Sequence, residues 1–306
     1  MPRFIRYLML SAPLVFLCAG WFLSVSPKGG ALFTEQSAQA ALKKTEVFVR
    51  AVSPRDSGTP NAKKAAEWIH QDLSGIPGLT TRTIVFNRPA PKGPVVFRNV
   101  LASLPGKEDR WILLLTHYDT KPGITNGFQG ANDGGSSTGL MLELARIFAA
   151  HKERRLGILI AFLDGEESMV DYTDTDGLHG SKHLAVQMKA EKRTIAAVLL
   201  ADMIGDADFL LGIPENVTPR LRKLAETAAK NRGFEQHLRA YPYRMLDDHQ
   251  PFLDLGYPAI DFIDFEYGPR NSYWHTPQDT VDKLGSTGYL VTGGIICEMV
   301  MLLETP

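Results

Sequence analysis

Acidic and histidine residues able to share a cation recur along the chain: His117 with Asp119, then Asp133, the adjacent pair Glu166 and Glu167, Asp202, and His275. Carboxylates crowded together repel, and one would stay protonated unless a cation joined them. A divalent metal removes that difficulty, and a mixed histidine and carboxylate set suits zinc. Taken singly, each residue has a plainer reading: Asp133 could cap the helix after its Gly-rich loop, and Asp119 could lie on a surface turn. It is their joint occurrence that points to one metal-assisted site. The glutamate pair adds acid–base chemistry. Where the backbone is extended, neighbouring side chains point to opposite sides, so one can hold the metal while the other faces the substrate. Positioned proton transfer contributes roughly 10²–10⁴ in rate, and a metal polarises a carbonyl. The reaction class this supports is metal-assisted chemistry on an amide.

These residues need a scaffold that brings distant segments together. Trp111–Leu115, Leu156–Leu163 and Thr194–Leu200 are short apolar runs, as expected of strands buried on both faces. Thr83–Phe86, Val95–Leu104 and Pro258–Ile263 also read as strands. Helical spacing marks Phe33–Val52, Ala62–Leu73, Ser137–Ala150, Leu178–Lys189, Pro219–Arg232 and Tyr289–Leu303. The alternation predicts a single α/β three-layer sandwich, with a mostly parallel mixed sheet and helices on both faces. His117, the glutamate pair and Asp202 each follow a predicted strand. Open α/β sheets bind ligands in the crevice outside those carboxyl ends.

The 306-residue composition is 44% hydrophobic and 22% charged, which excludes a mainly disordered or collagen-like chain. Thirty-three basic against 34 acidic residues leave a net charge of −1, giving no electrostatic basis for nucleic-acid binding. Arg3 and Arg6 precede an apolar stretch from Tyr7 to Ser26, so residues 1–30 read as a signal peptide or an uncleaved membrane anchor. The catalytic domain is then 31–306, working extracytoplasmically, periplasmic or secreted, with membrane contact only through the leader. Of the two cysteines, Cys18 lies in that leader, so a disulfide framework is not expected.

The motifs His117-Tyr118-Asp119, Ala131-Asn132-Asp133, Asp164-Gly165-Glu166-Glu167, Ala201-Asp202-Met203 and Trp274-His275-Thr276 resemble the zinc aminopeptidase and glutaminyl cyclase superfamily. The resemblance runs from about residue 45 to 303, in the family's order. Three details are more similar to the cyclases: the long insertion from Glu167 to Leu178-His179-Gly180-Ser181, the Asp247-Asp248-His249-Gln250-Pro251-Phe252 motif, and Trp274 before His275. The cyclase resemblance implies one zinc held by Asp133, Glu167 and His275, with Glu166 as general acid–base and Asp202 and Asp247 as a hydrogen-bonded acid pair beside it. It implies a pocket lined by Trp274 and by Tyr172, the latter standing where animal-type cyclases place a tryptophan. The substrate would be an N-terminal glutamine on a peptide or protein, converted to pyroglutamate with release of ammonia. The aminopeptidase resemblance instead implies two zincs bridged by Asp133, one also held by His117 and Glu167 and the other by Asp202 and His275, so that His117 and Asp202 would serve as ligands only with a second ion. Both ligand sets are present, so the motifs leave one or two ions open. A binding module on an inactive fold would usually have lost ligands, and this chain has lost none.

Overall fold

A computed structural model describes residues 32–305. The predicted leader helix and Cys18 lie outside the described residues.

The helices begin and end where local chemistry dictates. Helix α1 (Glu35–Val52) starts at Thr34, whose hydroxyl accepts from the Ser37 N–H at 3.3 Å. Helix α2 (Pro60–Ser74) is capped by Thr59 and opens on a proline, which has no amide hydrogen to leave unsatisfied. Strands β1 (Thr80–Arg88) and β2 (Val95–Leu104) form an antiparallel pair. There follow β3 (Trp111–His117), α3 (Gly135–Ala150), β4 (Gly157–Leu163), α4 (His179–Ala190) and β5 (Ile195–Asp202). The chain closes with β6 (Leu211–Ile213), α5 (Pro219–Arg232), β7 (Leu238–Ala240), α6 (Gln250–Asp254), β8 (Ala259–Ile263) and α7 (Ser286–Glu304).

The strands make one eight-stranded mixed sheet in the order β1-β2-β4-β3-β5-β8-β6-β7. The central β4, β3, β5 and β8 run parallel. Alternation within each central strand feeds two cores. Ile112, Leu114, Ile158, Ile160 and Leu199 point to the layer of α1, α2, α3, α5 and α7. Leu113, Leu115, Leu159, Val198 and Leu200 point to the layer of α4 and α6. Leu114 has no exposed surface, and its truncation to alanine is expected to cost ~2–5 kcal/mol. Helix α7 is long and apolar enough to cross a membrane, yet two thirds of its apolar window is buried in this packing.

The predicted strands and long helices are all present, with end-shifts of up to three residues. The elements that sequence reading missed are β6, β7 and α6. At three to five residues they are too short to show a period. Cys297 is a buried free thiol in α7.

Candidate active site

The parallel order puts the ends of β3, β4 and β5 side by side, and the chemistry falls there. His117 is the last residue of β3 and Asp202 the last of β5. Glu166 and Glu167 follow β4 after a turn, and Asp133 precedes α3. His275 comes from the long loop after β8 and adopts a left-handed φ of 52°. Asp133 does not cap α3: the cap position is Gly134, which offers no side chain. Gly134 has a φ of 71°, and a Cβ there would sit 2.9 Å from the His117 ring, so the loop can close on the histidine only as glycine.

Two three-residue groups share Asp133. In the outer one, His275 Nε2 lies 2.9 Å from Glu167 Oε1 and 3.2 Å from Asp133 Oδ2. In the inner one, His117 Nε2 lies 3.2 Å from Asp133 Oδ1 and 3.1 Å from Asp202 Oδ1. Within each group one donor atom per residue lies within 4.8 Å of the others. One nitrogen and two carboxylate oxygens at that spacing fit a zinc-type ion. Glu167 Oε2 supports the same fit: it is buried without a hydrogen-bond partner, 3.7 Å from the Lys121 ammonium.

The charges respond to this crowding. Burial and then Glu167 push the Glu166 carboxyl well above the usual range. Burial and Asp133 raise Glu167 to about 7, against the pull of His275. Burial disfavours the charged His275, but Asp133 and Glu167 outweigh it and raise the imidazole to about 9. Burial opposes the His117 cation too, and Asp202, Asp119 and Asp133 override it. Asp202 is raised by burial, against His117. Asp247 is raised by burial, then by Asp261, Asp202 and Glu166.

The two side chains of the glutamate pair go to different partners, and both residues lie in the loop beyond β4 rather than in the strand. Glu167 turns to His275, while Glu166 Oε1 accepts a 3.0 Å hydrogen bond from the Tyr172 hydroxyl. Asp119 explains how the pair is held. Its two oxygens each accept a backbone N–H, one from Glu166 and one from Glu167, both at 3.2 Å. Asp119 Oδ1 is also 3.5 Å from His117 Nδ1.

A cavity of about 230 Å³ opens over the outer group. Asp133, Glu166, Glu167, Asp202, Asp247 and His275 supply its polar wall, and Tyr172, Met245, Phe265 and Trp274 its apolar one. Trp274 stacks on the His275 ring at 4.0 Å, so it both lines the cavity and steadies the imidazole. Asp202 accepts from the Met203 N–H at 2.8 Å, and Asp247 from the Asp248 N–H at 2.5 Å. A larger cleft of about 1250 Å³ beside Asp206, Asp264 and Arg270 contains none of these residues, nor either metal-type group.

Two supporting residues had no legible motif. Asp279 accepts the backbone N–H groups of Asn132 and Asp133 at 2.7 and 3.2 Å, and the Tyr267 hydroxyl at 3.0 Å. Arg55 is fully buried between α1 and α2 and donates to the carbonyls of Tyr118, Gln129, Gly130 and Asp133. Their partners are backbone atoms, which no side-chain pattern reveals, and Arg55 stands among Ser53, Asp56, Ser57 and Thr59, a polar stretch that gives no sign of its burial. His249 of the Asp247 motif braces Asn216 through Nε2, and His179 and His183 stack on Phe97 and Phe86.

Known proteins share this sequence and fold. Residues 99–300 match the profile of Peptidase family M28. A glutaminyl-peptide cyclotransferase of Drosophila melanogaster is 29% identical over 269 residues, 78% of this chain and 74% of that protein. A glutaminyl-peptide cyclotransferase-like protein of Bos taurus is 30% identical over 260 residues, 76% of this chain and 67% of that one. The crystal structure of an Acidobacteriales bacterium glutaminyl cyclase superposes with a TM-score of 0.82 at 35% identity, covering 88% of this chain and 94% of that one. The chain therefore belongs to peptidase family M28 and, within it, stands with the glutaminyl cyclases.

Proposed function

We propose that the protein is a zinc-dependent glutaminyl-peptide cyclotransferase, closing an N-terminal glutamine to pyroglutamate and releasing ammonia. The observation that carries this reading is the split of the glutamate pair, with Glu167 committed to His275 and Asp133 while Glu166 faces the cavity. Asp133, Glu167 and His275 would hold one zinc, which when bound supplies Lewis-acid polarisation of the side-chain amide carbonyl. Glu166 takes a proton from the substrate α-amine as the nitrogen attacks the amide carbon, then gives it to the leaving nitrogen, so ammonia departs. Nucleophile and electrophile sit in the same residue, which provides proximity without a second bound molecule. Asp202 and Asp247 lie beside Glu166 on the cavity wall and can share a proton, because close carboxylates resist double ionisation. Trp274 and Tyr172 bound the space for the glutaminyl side chain.

The inner group favours one rival, a two-zinc aminopeptidase in which His117, Asp133 and Asp202 hold a further ion. Zinc-loaded protein given a Gln-initial peptide is expected to release ammonia and no amino acid. Release of free glutamine would overturn the cyclase reading. We further take residues 1–30 as a signal peptide or membrane anchor that places the catalytic domain, 31–306, outside the cytoplasm.

A further inference from the structure

Tyr172 belongs to the long insertion between Glu167 and α4, and that insertion is built rigidly. The Asp176 carboxylate accepts three successive backbone N–H groups, from Met169, Val170 and Asp171, at 2.7, 2.8 and 3.1 Å. Lys182 Nζ donates to the carbonyls of Thr173 and Gly177 at 2.8 and 2.9 Å. The insertion's far end returns to the catalytic loop, where the Leu178 N–H donates to the Glu166 carbonyl at 2.9 Å. Gly177 has a φ of 77°, and a Cβ there would stand 2.5 Å from the Tyr172 ring, so the ring packs close against bare backbone. The Lys121 ammonium sits 5.8 Å from the ring centroid. The phenol is thereby aimed, and its hydroxyl ends 3.0 Å from Glu166 Oε1.

From this geometry we infer that Tyr172 is a positioning residue for Glu166. Its hydroxyl pins one carboxyl oxygen and leaves the other turned to the substrate amine and the leaving nitrogen. A glutamate side chain has three rotatable bonds, and proton transfer needs its oxygen within hydrogen-bond reach of the moving proton. A tryptophan or phenylalanine here would wall the pocket equally but could not reach the carboxyl with an O–H. The inference rests on the cyclase reading, with Glu166 as the proton carrier.

The test is steady-state kinetics of the full-length, zinc-loaded protein on a Gln-initial dipeptide, with ammonia as readout. Tyr172→Phe removes one oxygen and keeps the ring. It is expected to lower kcat about tenfold while KM, zinc content and melting temperature stay within error, since the hydrogen bond that orients the carboxyl is lost and no packing is. In a Glu166→Asp background the carboxyl is one methylene further away, and the same Tyr172→Phe change is expected to cost less than about twofold. An unchanged kcat, a loss confined to KM, or an undiminished tenfold loss in the Glu166→Asp background would each overturn the assignment. Wild-type turnover on the same peptide separates the two levels. If the wild type releases no ammonia, the cyclase reading falls and this inference with it; if it does and Tyr172→Phe matches it, only the inference falls.

Discussion

The outer and inner groups around Asp133 have the same composition, one histidine and two carboxylates, but different surroundings. His275 hangs from a loop, its side chain 17% exposed, and with Glu167 it forms part of the cavity wall. His117 ends a central strand, has no exposed surface, and does not reach the cavity. Its Nδ1 faces Asp119, whose oxygens are already engaged by the glutamate backbone. The difference teaches that donor identity alone does not make a substrate site. All three residues of the outer group line the cavity, whereas the inner group reaches it only through Asp133 and Asp202 and keeps its histidine buried behind them.

That contrast can be broken experimentally. The largest effect is expected from the shared residue and its ion: Asp133→Ala, or stripping the metal with a chelator, should reduce ammonia release to background, with zinc restoring the chelated wild type and not the variant. Glu166→Gln should lower kcat by ~10²–10⁴ while zinc, measured by elemental analysis, remains bound. Lost zinc would mean that the two neighbouring glutamates do not divide their work as their hydrogen bonds indicate. Asp279→Asn, which weakens the grip on the Asp133 backbone, should cost about 10–100-fold in zinc affinity by competition titration.

The inner group should be less sensitive. His117→Gln is expected to cost under about tenfold in turnover and to leave one zinc per chain; loss as deep as that from His275→Ala, with two zincs in the wild type, would favour the aminopeptidase arrangement. A pH titration sharpens the same comparison. In the chelated protein the raised pKa of His275 means that its imidazolium contribution to stability is complete below about 6.5 and is lost as pH rises through about 9. Metal binding requires the neutral ring, so zinc affinity should rise across the same interval. An affinity flat from pH 6.5 to 9 would remove His275 from the ligand set.

Much of this architecture is legible in the amino-acid sequence. Apolar runs such as Trp111–Leu115 carry their burial in their composition, and the residues after them inherit a place at the sheet edge. Adjacency alone suggests that the two glutamates face different partners, and their hydrogen bonds do go to Tyr172 and His275. What stayed hidden is chemistry directed at backbone. Asp119 reads from sequence as a partner for His117 or a turn residue, yet its two oxygens chiefly clamp the amides of Glu166 and Glu167. Asp279 reads as one more loop acid. The three-residue strands β6 and β7 were invisible because pairing partners, not their own pattern, create them.

Arg55 has a practical consequence. It precedes the matched stretch 99–300 by more than forty positions, yet its guanidinium gathers the loops that bear Tyr118 and Asp133. Cutting the polypeptide down to that stretch would leave those carbonyls without their common donor, so residues 99–300 alone lack a contact that holds the site's loops together. Minimal versions for crystallography or inhibitor screening have to keep the two leading helices and the bend between them.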